Sequence, residues 1–265
     1  MKTGLERRAF LGAGAALLAS AGMRGVAAEG GGVSGELKFC LFADLHFMPG
    51  EFPHPTTEFL DKIIARAKAA KVDFILHLGD LMHRANDPRV RKFIDRYNRC
   101  GLPAYHTIGN HENDATSEAQ TLAAYGLKSG HYHFDVKGFR FIICDCNYIR
   151  RVNGKVEHYA NSNYFGRAKD DLISWMPEEQ IAWLAETIES AKGPCVICSH
   201  QSFDRERGSV PNWRAVRDVL ETANSRHPGR VRLVMNGHHH CDYLRILNGI
   251  PYFDVNSANY IWFDE

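Results

Sequence analysis

Five short apolar runs in this chain each end on a residue that can hold a metal ion, and no other feature restricts the fold as much. Residues 37–43 lead into Asp44 and His46, 74–78 into Gly79-Asp80, and 104–108 into Gly109-Asn110-His111-Glu112. Residues 195–198 lead into Ser199-His200, and 231–235 into Asn236-Gly237-His238-His239-His240. Apolar runs this short, bounded by turn residues, read as buried strands. In open α/β sheets, ligands gather beyond the carboxyl ends of strands. If the five strands lie side by side, their five turns meet in one place.

Between these runs the pattern changes to helical spacing. Residues 57–71 put Leu60, Ile63, Ile64 and Ala67 on one face, and 88–100 do the same with Val90, Phe93, Ile94 and Tyr97. Pro177 opens a helix with Ile181, Leu184 and Ile188 in register, and 212–223 form another. Residues 132–136 and 139–145, joined by Lys137-Gly138, predict a hairpin. Residues 243–247 and 251–255 predict a second, because Asn248-Gly249 between them is a strong hairpin signal. The stretch 147–176 has little periodicity; one that long inside a compact domain is usually functional or mobile. Strands and helices interleaved, with hairpins appended, predict an α/β domain with mixed sheets. At 265 residues and 45% hydrophobic, the chain can fill one large core but not two.

The residue types at the strand ends define the chemistry. Carboxylate, amide and imidazole donors without thiolate suit iron, manganese, zinc or cobalt. A carboxylate has two oxygens and can bridge two ions, which suits Asp80 if it lies centrally. Gly79 and Gly109 permit sharp turns close to the ions. If the backbone is extended at Asp44-Leu45-His46 and His238-His239-His240, alternation puts the outer two side chains of each on one side and turns His239 away. Chance placement of polar residues is a poor alternative, since Asp and Asn are seldom buried without partners.

In order, D-x-H, G-D, G-N-H-E, a lone His after a strand and G-H-x-H resemble the motifs of the calcineurin-like metallophosphoesterase superfamily. The resemblance runs from about residue 37 to 240. It implies a four-layer α/β/β/α sandwich with two mixed β-sheets. It also implies two divalent or trivalent ions, one held by Asp44, His46, Asp80 and His240 and the other by Asp80, Asn110, His200 and His238. By the same resemblance a bridging hydroxide attacks phosphorus, and His111 contacts the phosphate and protonates the leaving group. The substrate class implied is a phosphate mono- or diester. Nucleotide pyrophosphatase, nuclease and non-catalytic scaffold are the alternatives.

The N-terminus has a different pattern. Arg7-Arg8-Ala9-Phe10-Leu11, a small apolar run to about Ala21 and Val26-Ala27-Ala28 predict a signal peptide of twin-arginine type over residues 1–28. An uncleaved anchor is the alternative, but about 12 apolar residues fall short of the ~20 that span a bilayer. Residues 29–36 read as a Gly-rich linker and 37–265 as the folded domain. The signal predicts engagement of the export machinery and a periplasmic or secreted location, with no transmembrane segment in the mature chain.

Formal charge is +1 over the whole chain and stays near neutral without residues 1–28, which argues against nucleic acid as a partner and for a small phosphorylated substrate. The seven cysteines include Cys195 and Cys198 at CxxC spacing. Their place in apolar runs favours core packing over redox or zinc chemistry.

Weaker candidates surround the site. His83, three residues after Asp80, reads as a neighbour that supports a ligand or as a loop residue. Asn147 and Tyr148 follow a strand near the expected cleft, and Arg205 and Arg207 lie in a loop after His200. All four are candidates for substrate contact, since guanidinium suits phosphate oxygens. His54, His106, His131, His133 and His158 have no partner in the sequence pattern. The chain stops at Ile261-Trp262-Phe263-Asp264-Glu265, which predicts a short last strand or an exposed edge.

Overall fold

A computed structural model of the chain describes residues 17–19, 36–48, 50, 56–158, 169–204 and 209–259. Two sheets lie at its centre. The first has the order β1 (Leu17–Ala19), β2 (Phe39–Phe42), β3 (Phe74–His77), β4 (Ala104–His106). Strands β2, β3 and β4 run parallel, and β1 pairs antiparallel with β2. The second contains β5 (Tyr132–Val136), β6 (Phe139–Ile143), β10 (Cys195–Ser199), β11 (Val231–Asn236), β12 (Tyr243–Leu247) and β13 (Ile250–Asp254), in the order β12-β13-β11-β10-β6-β5. Its four inner strands are parallel and both edges are antiparallel hairpin arms.

Period-two alternation accounts for the layering. Phe39, Leu41, Phe74 and Leu76 point from the first sheet toward Phe139, Phe141, Val196 and Cys198 of the second, forming the core between the sheets. The alternate residues Cys40, Phe42 and Ile75 face three helices: α1 (Thr56–Ala69), α2 (Pro88–Asn98) and α3 (Glu118–Tyr125). Ile142, Cys195, Ile197 and Val234 face α4 (Glu178–Glu189) and α5 (Trp213–Arg226). The result is a mixed α/β fold in four layers, α/β/β/α. Each fully buried Phe or Leu contributes roughly 1.5–3 kcal/mol, and strands buried on both faces explain the unbroken apolar runs of the sequence.

Local signals account for the helix ends. Asp87 caps α2 by accepting from the Arg89 N–H at 2.8 Å, with Pro88 in the first turn. Helix α3, which periodicity did not reveal, is set by a Ser117–Gln120 capping box and ends on Gly126 at φ +73°. Asn248 (φ +48°) and Gly249 (φ +81°) make the expected tight turn between β12 and β13.

One sequence expectation changes here, and the core reading of the cysteines holds. The stretch 147–176 holds a small antiparallel sheet of β7 (Tyr148–Arg150), β8 (Val156–His158) and β9 (Leu172–Trp175), whose strands are too short for alternation to register. Cys195 and Cys198 face opposite sides of β10, so their spacing is not a redox or zinc pair. Six of the seven cysteines are buried and all are free thiols. After β13 the chain crosses to the first sheet, where Ser257 bridges Ala43 and the Ala258 N–H donates to Ala43 O at 2.9 Å. Residues 260–265, on which the exposed-edge expectation falls, lie outside the described residues, as do residues 1–16 and 20–28 of the predicted signal and 205–208 with Arg205 and Arg207.

Candidate metal centre

The two sheets aim the carboxyl ends of β2, β3, β4, β10 and β11 at one point. There, two groups of donor atoms lie side by side: Asp44, His46 and His240, and Asp80, His200 and His238. In the first, Asp44 Oδ1 lies 3.2 Å from His240 Nε2 and 3.8 Å from His46 Nε2. In the second, Asp80 Oδ2 lies 3.1 Å from His200 Nε2. The groups adjoin, with His200 Nε2 4.0 Å from Asp44 Oδ1.

How the chain brings these side chains together differs from the extended backbone expected for D-x-H and H-x-H. Asp44, His46, Asp80, His238 and His240 all have positive φ, between +49° and +70°. Left-handed backbone at non-glycine residues is costly and persists where the surroundings over-determine it. Here the Asp44 and His46 N–H groups donate to Gly79 O and Asp80 O at 3.0 and 2.9 Å, and the His238 N–H donates to Asp44 Oδ2 at 3.0 Å. Ser257 Oγ donates to Asp44 O at 2.8 Å, so the crossing segment after β13 braces the same loop. His239 faces away, with Nε2 3.0 Å from Ser202 Oγ.

Two glycines are fixed by close approach. A Cβ on Gly109 would lie 2.2 Å from Asp80 Oδ1, and one on Gly79, at φ +92°, would lie 2.5 Å from His200 Nδ1. Glu112 joins the two turns. Its buried carboxylate accepts from the N–H groups of Asp80, Leu81 and Gly109 at 3.0, 2.7 and 2.9 Å, and from Tyr125 Oη at 2.8 Å.

A second buried chain reaches the Gly79 turn. The Gly79 N–H donates to His77 Nδ1 at 3.2 Å, so His77 Nε2 carries the proton for His106 Nδ1 at 2.8 Å. His106 Nε2 then donates to Asn98 Oδ1 at 2.7 Å. Burial pushes both imidazoles down, His106 to about 3, so they stay neutral.

Hydrogen-bond logic also fixes the inward-facing lone pairs. A backbone carbonyl only accepts, so His200 Nδ1 donates to Leu78 O at 2.7 Å and Nε2 faces the site. His238 Nδ1 lies 3.2 Å from that Nε2, and His46 Nε2 lies 3.1 Å from His240 Nε2. Ring nitrogens this close repel unless a proton or a cation lies between them. The Asn110 carboxamide oxygen is buried and has no hydrogen-bond partner, an orphan acceptor of the kind a cation satisfies. This donor set fits two metal ions.

The acid candidate and its neighbours complete the site. The His111 N–H donates to Asp80 Oδ1 at 2.9 Å, and its Nδ1 lies 2.8 Å from Asp114 Oδ2. Burial pulls this imidazole down, but the carboxylates of Asp80 and Asp114 outweigh it and raise it to about 9. His83 Nε2 meets His46 Nδ1 at 2.9 Å, and His83 Nδ1 meets the same Asp114 oxygen at 3.0 Å. Burial would raise the Asp80 carboxyl, yet His200, His111 and His46 hold it well below the usual range.

Asn147 does not face an open cleft. It is fully buried, its amide nitrogen donating to Ile108 O and Asp145 Oδ1 at 2.9 and 2.7 Å and its oxygen accepting from Gln201 at 3.0 Å, which ties β4, β6 and β10 together. Tyr148 is half-buried, its ring 4.9 Å from that of His158, which pairs with Asp145 at 3.2 Å. Asp114 and the His77–His106 pair went unread in the sequence. The only available signal for Asp114 was its i+3 spacing from His111, across the 3₁₀ turn His111–Asn113 that Asp114 ends.

Residues 37–242 match the family profile for calcineurin-like phosphoesterase. The chain belongs to that family. As a calcineurin-like phosphoesterase it is a metal-dependent hydrolase of phosphoesters. Its fold is similar to that of a dimetal phosphatase from Danio rerio, at 17% identity over 84% of this chain and 88% of that one, with a TM-score of 0.62. It is also similar to PhoD, at 13% identity over 84% of this chain and 56% of that one, TM-score 0.56. A third structure of this fold is GAP50, the anchor in the inner membrane complex of Plasmodium, at 17% identity, 84% and 72% coverage and TM-score 0.51. Identities this low carry the fold alone. Among curated protein sequences none matches. Among the described residues no helix is long and apolar enough to cross a membrane.

Proposed function

We propose that this calcineurin-like phosphoesterase hydrolyses a small phosphate mono- or diester outside the cytoplasm. One ion is assigned to Asp44, His46, Asp80 and His240, and the other to Asp80, Asn110, His200 and His238. The observation that carries this reading is the pair of adjoining donor groups whose ring nitrogens face inward at 3.1 and 3.2 Å. Two bound ions supply Lewis-acid stabilisation of phosphate oxygens and acidify water at neutral pH.

The chain's own residues do the rest. His111 lies beside Asp80 at the partly open face of the site and is raised to about 9, so at neutral pH it carries the proton that a leaving alkoxide needs. Asn110 offers its unpartnered oxygen. GAP50 shows by its description that this fold also serves as an anchor, but here the whole donor set and His111 are present. The N-terminal twin-arginine pattern supports export, and the near-neutral charge supports a small substrate over nucleic acid.

Elemental analysis of purified protein, coupled to turnover of p-nitrophenyl phosphate, its bis ester and a nucleotide panel, tests this reading. The expected result is two ions per chain and hydrolysis that chelation removes and metal restores. Full metal loading with no turnover under iron, manganese, zinc and cobalt would favour the scaffold reading instead.

A further inference from the structure

One carboxylate oxygen reaches both the proposed acid and one of the proposed ligands. Asp114 Oδ2 accepts from His111 Nδ1 at 2.8 Å and from His83 Nδ1 at 3.0 Å. A carboxylate only accepts, so both rings carry their proton on Nδ1. In neutral His83 that leaves Nε2 as an acceptor, and it takes the bond from His46 Nδ1 at 2.9 Å. His46 must then present the Nε2 lone pair to Asp44 and His240. His111 is likewise left with Nε2 directed away from Asp114. One oxygen thus sets the tautomers of His83 and His46 and the direction of the His111 ring. The rings are also held mechanically, with His83 packed on His111 at 4.2 Å between centroids and on His46 at 5.2 Å.

We infer that Asp114 is a positioning residue that couples the proton donor His111 to the metal ligand His46, with His83 as the connecting ring. The inference rests on the ligand and acid roles proposed above. Partners outside the immediate ligands orient ligating histidines and raise their basicity, and their loss typically costs 10–100-fold in metal affinity. In the second donor group His200 is oriented instead by the Leu78 carbonyl. Asp114 should therefore govern one ion and not the other.

The test compares wild-type protein with Asp114→Asn, Asp114→Ala, His83→Gln and the double variant Asp114→Asn/His83→Gln. Stepwise Zn²⁺ binding is followed by calorimetry, and ¹⁵N shifts of the histidine rings are read on zinc-loaded protein. Asp114→Asn keeps the shape and an acceptor, so thermal unfolding should stay close to wild type. One of the two binding events should weaken roughly 10–100-fold while the other holds, and the double variant should be no weaker than the worse single, the mark of one shared path. In Asp114→Ala, which leaves no acceptor, His83 should lose its pure Nδ1–H state. At saturating metal, kcat should fall about 100-fold in Asp114→Asn with KM within roughly threefold, the pattern of a residue that acts through His111 rather than on the substrate.

Equal weakening of both events, no weakening of either, or additive losses in the double variant would overturn the coupling. Unchanged ring tautomers would do the same. If wild-type protein turned over no phosphoester, the proposed activity would fall while the calorimetric and ¹⁵N results still decided the coupling.

Discussion

The two donor groups are built from similar residues but held by different means. His200 is fixed by the Leu78 backbone carbonyl, which no side-chain substitution removes, and it is fully buried. His46 is fixed by His83, and His83 by an Asp114 carboxylate that stays partly exposed. One side of the centre is therefore set by the fold, and the other by a side-chain relay that also serves the acid. A backbone-held ligand gives constancy. A relay-held ligand gives a place where metal affinity and proton donation can be adjusted together.

The largest effect should come from the residue on which both sides depend. Asp80 pairs with His200, accepts from the His111 N–H and acts electrostatically on His46. Asp80→Asn keeps the shape but halves the acceptor capacity and removes the charge. It should lower kcat by about 10³-fold or more and release both ions together, read by turnover and elemental analysis. If one ion stayed at full affinity, Asp80 would belong to one side only.

Gly109→Ala probes the fold-set side. The new Cβ would lie 2.2 Å from Asp80 Oδ1 and 2.5 Å from Asp80 N, and backbone cannot yield as a flexible side chain can. Overpacking of this kind typically costs about 1–3 kcal/mol, and here it would displace the carboxylate as well. Urea unfolding should show the lost stability, and metal titration weaker binding of both ions through the displaced Asp80. Wild-type metal affinity in this variant would mean that the turn has slack that the contacts do not suggest.

How much of this was legible in the sequence differs between the two sides too. Asp44, His46, Asp80, His200 and His238 all follow short, unbroken apolar runs that stop abruptly at a turn, so their positions were readable on both sides. The mixed α/β character was readable as well, because strands covered on both faces leave unbroken apolar runs; the four layers came from the family resemblance. Asp114 was not, since it lies just after a three-residue helical turn with no apolar rhythm, and its importance comes from two rings that approach through space. The left-handed backbone at Asp44 and His46 was also hidden, because nothing in a non-glycine residue announces positive φ. It is imposed by hydrogen bonds to Gly79 and Asp80, 35 and 34 residues on. Strands β7, β8 and β9 escaped because three or four residues are too few to display a period.

The smallest expected effect separates the two sides by their protons. In metal-free protein, burial pulls the His200 imidazole down, but Asp80 and Asp44 outweigh it and raise it to about 10. Burial leaves His46 well below its ordinary value despite Asp80. At pH 7, then, His200 holds a proton that an incoming ion must displace, and His46 does not. Affinity at the fold-set side should rise about tenfold per pH unit from 6 to 8 and level off only near 10, a dependence to which His46 adds nothing on the relay-held side. The stability of the metal-free protein has the matching sign. A histidine raised in the folded state stabilises fully below its unfolded value near 6.5, and that contribution is lost as pH rises through about 10. Calorimetry in buffers of different ionisation enthalpy would count the protons released at each step. One proton from each side, or none from either, would show that the two ligand sets are electrostatically alike and that their different supports do not reach the metal.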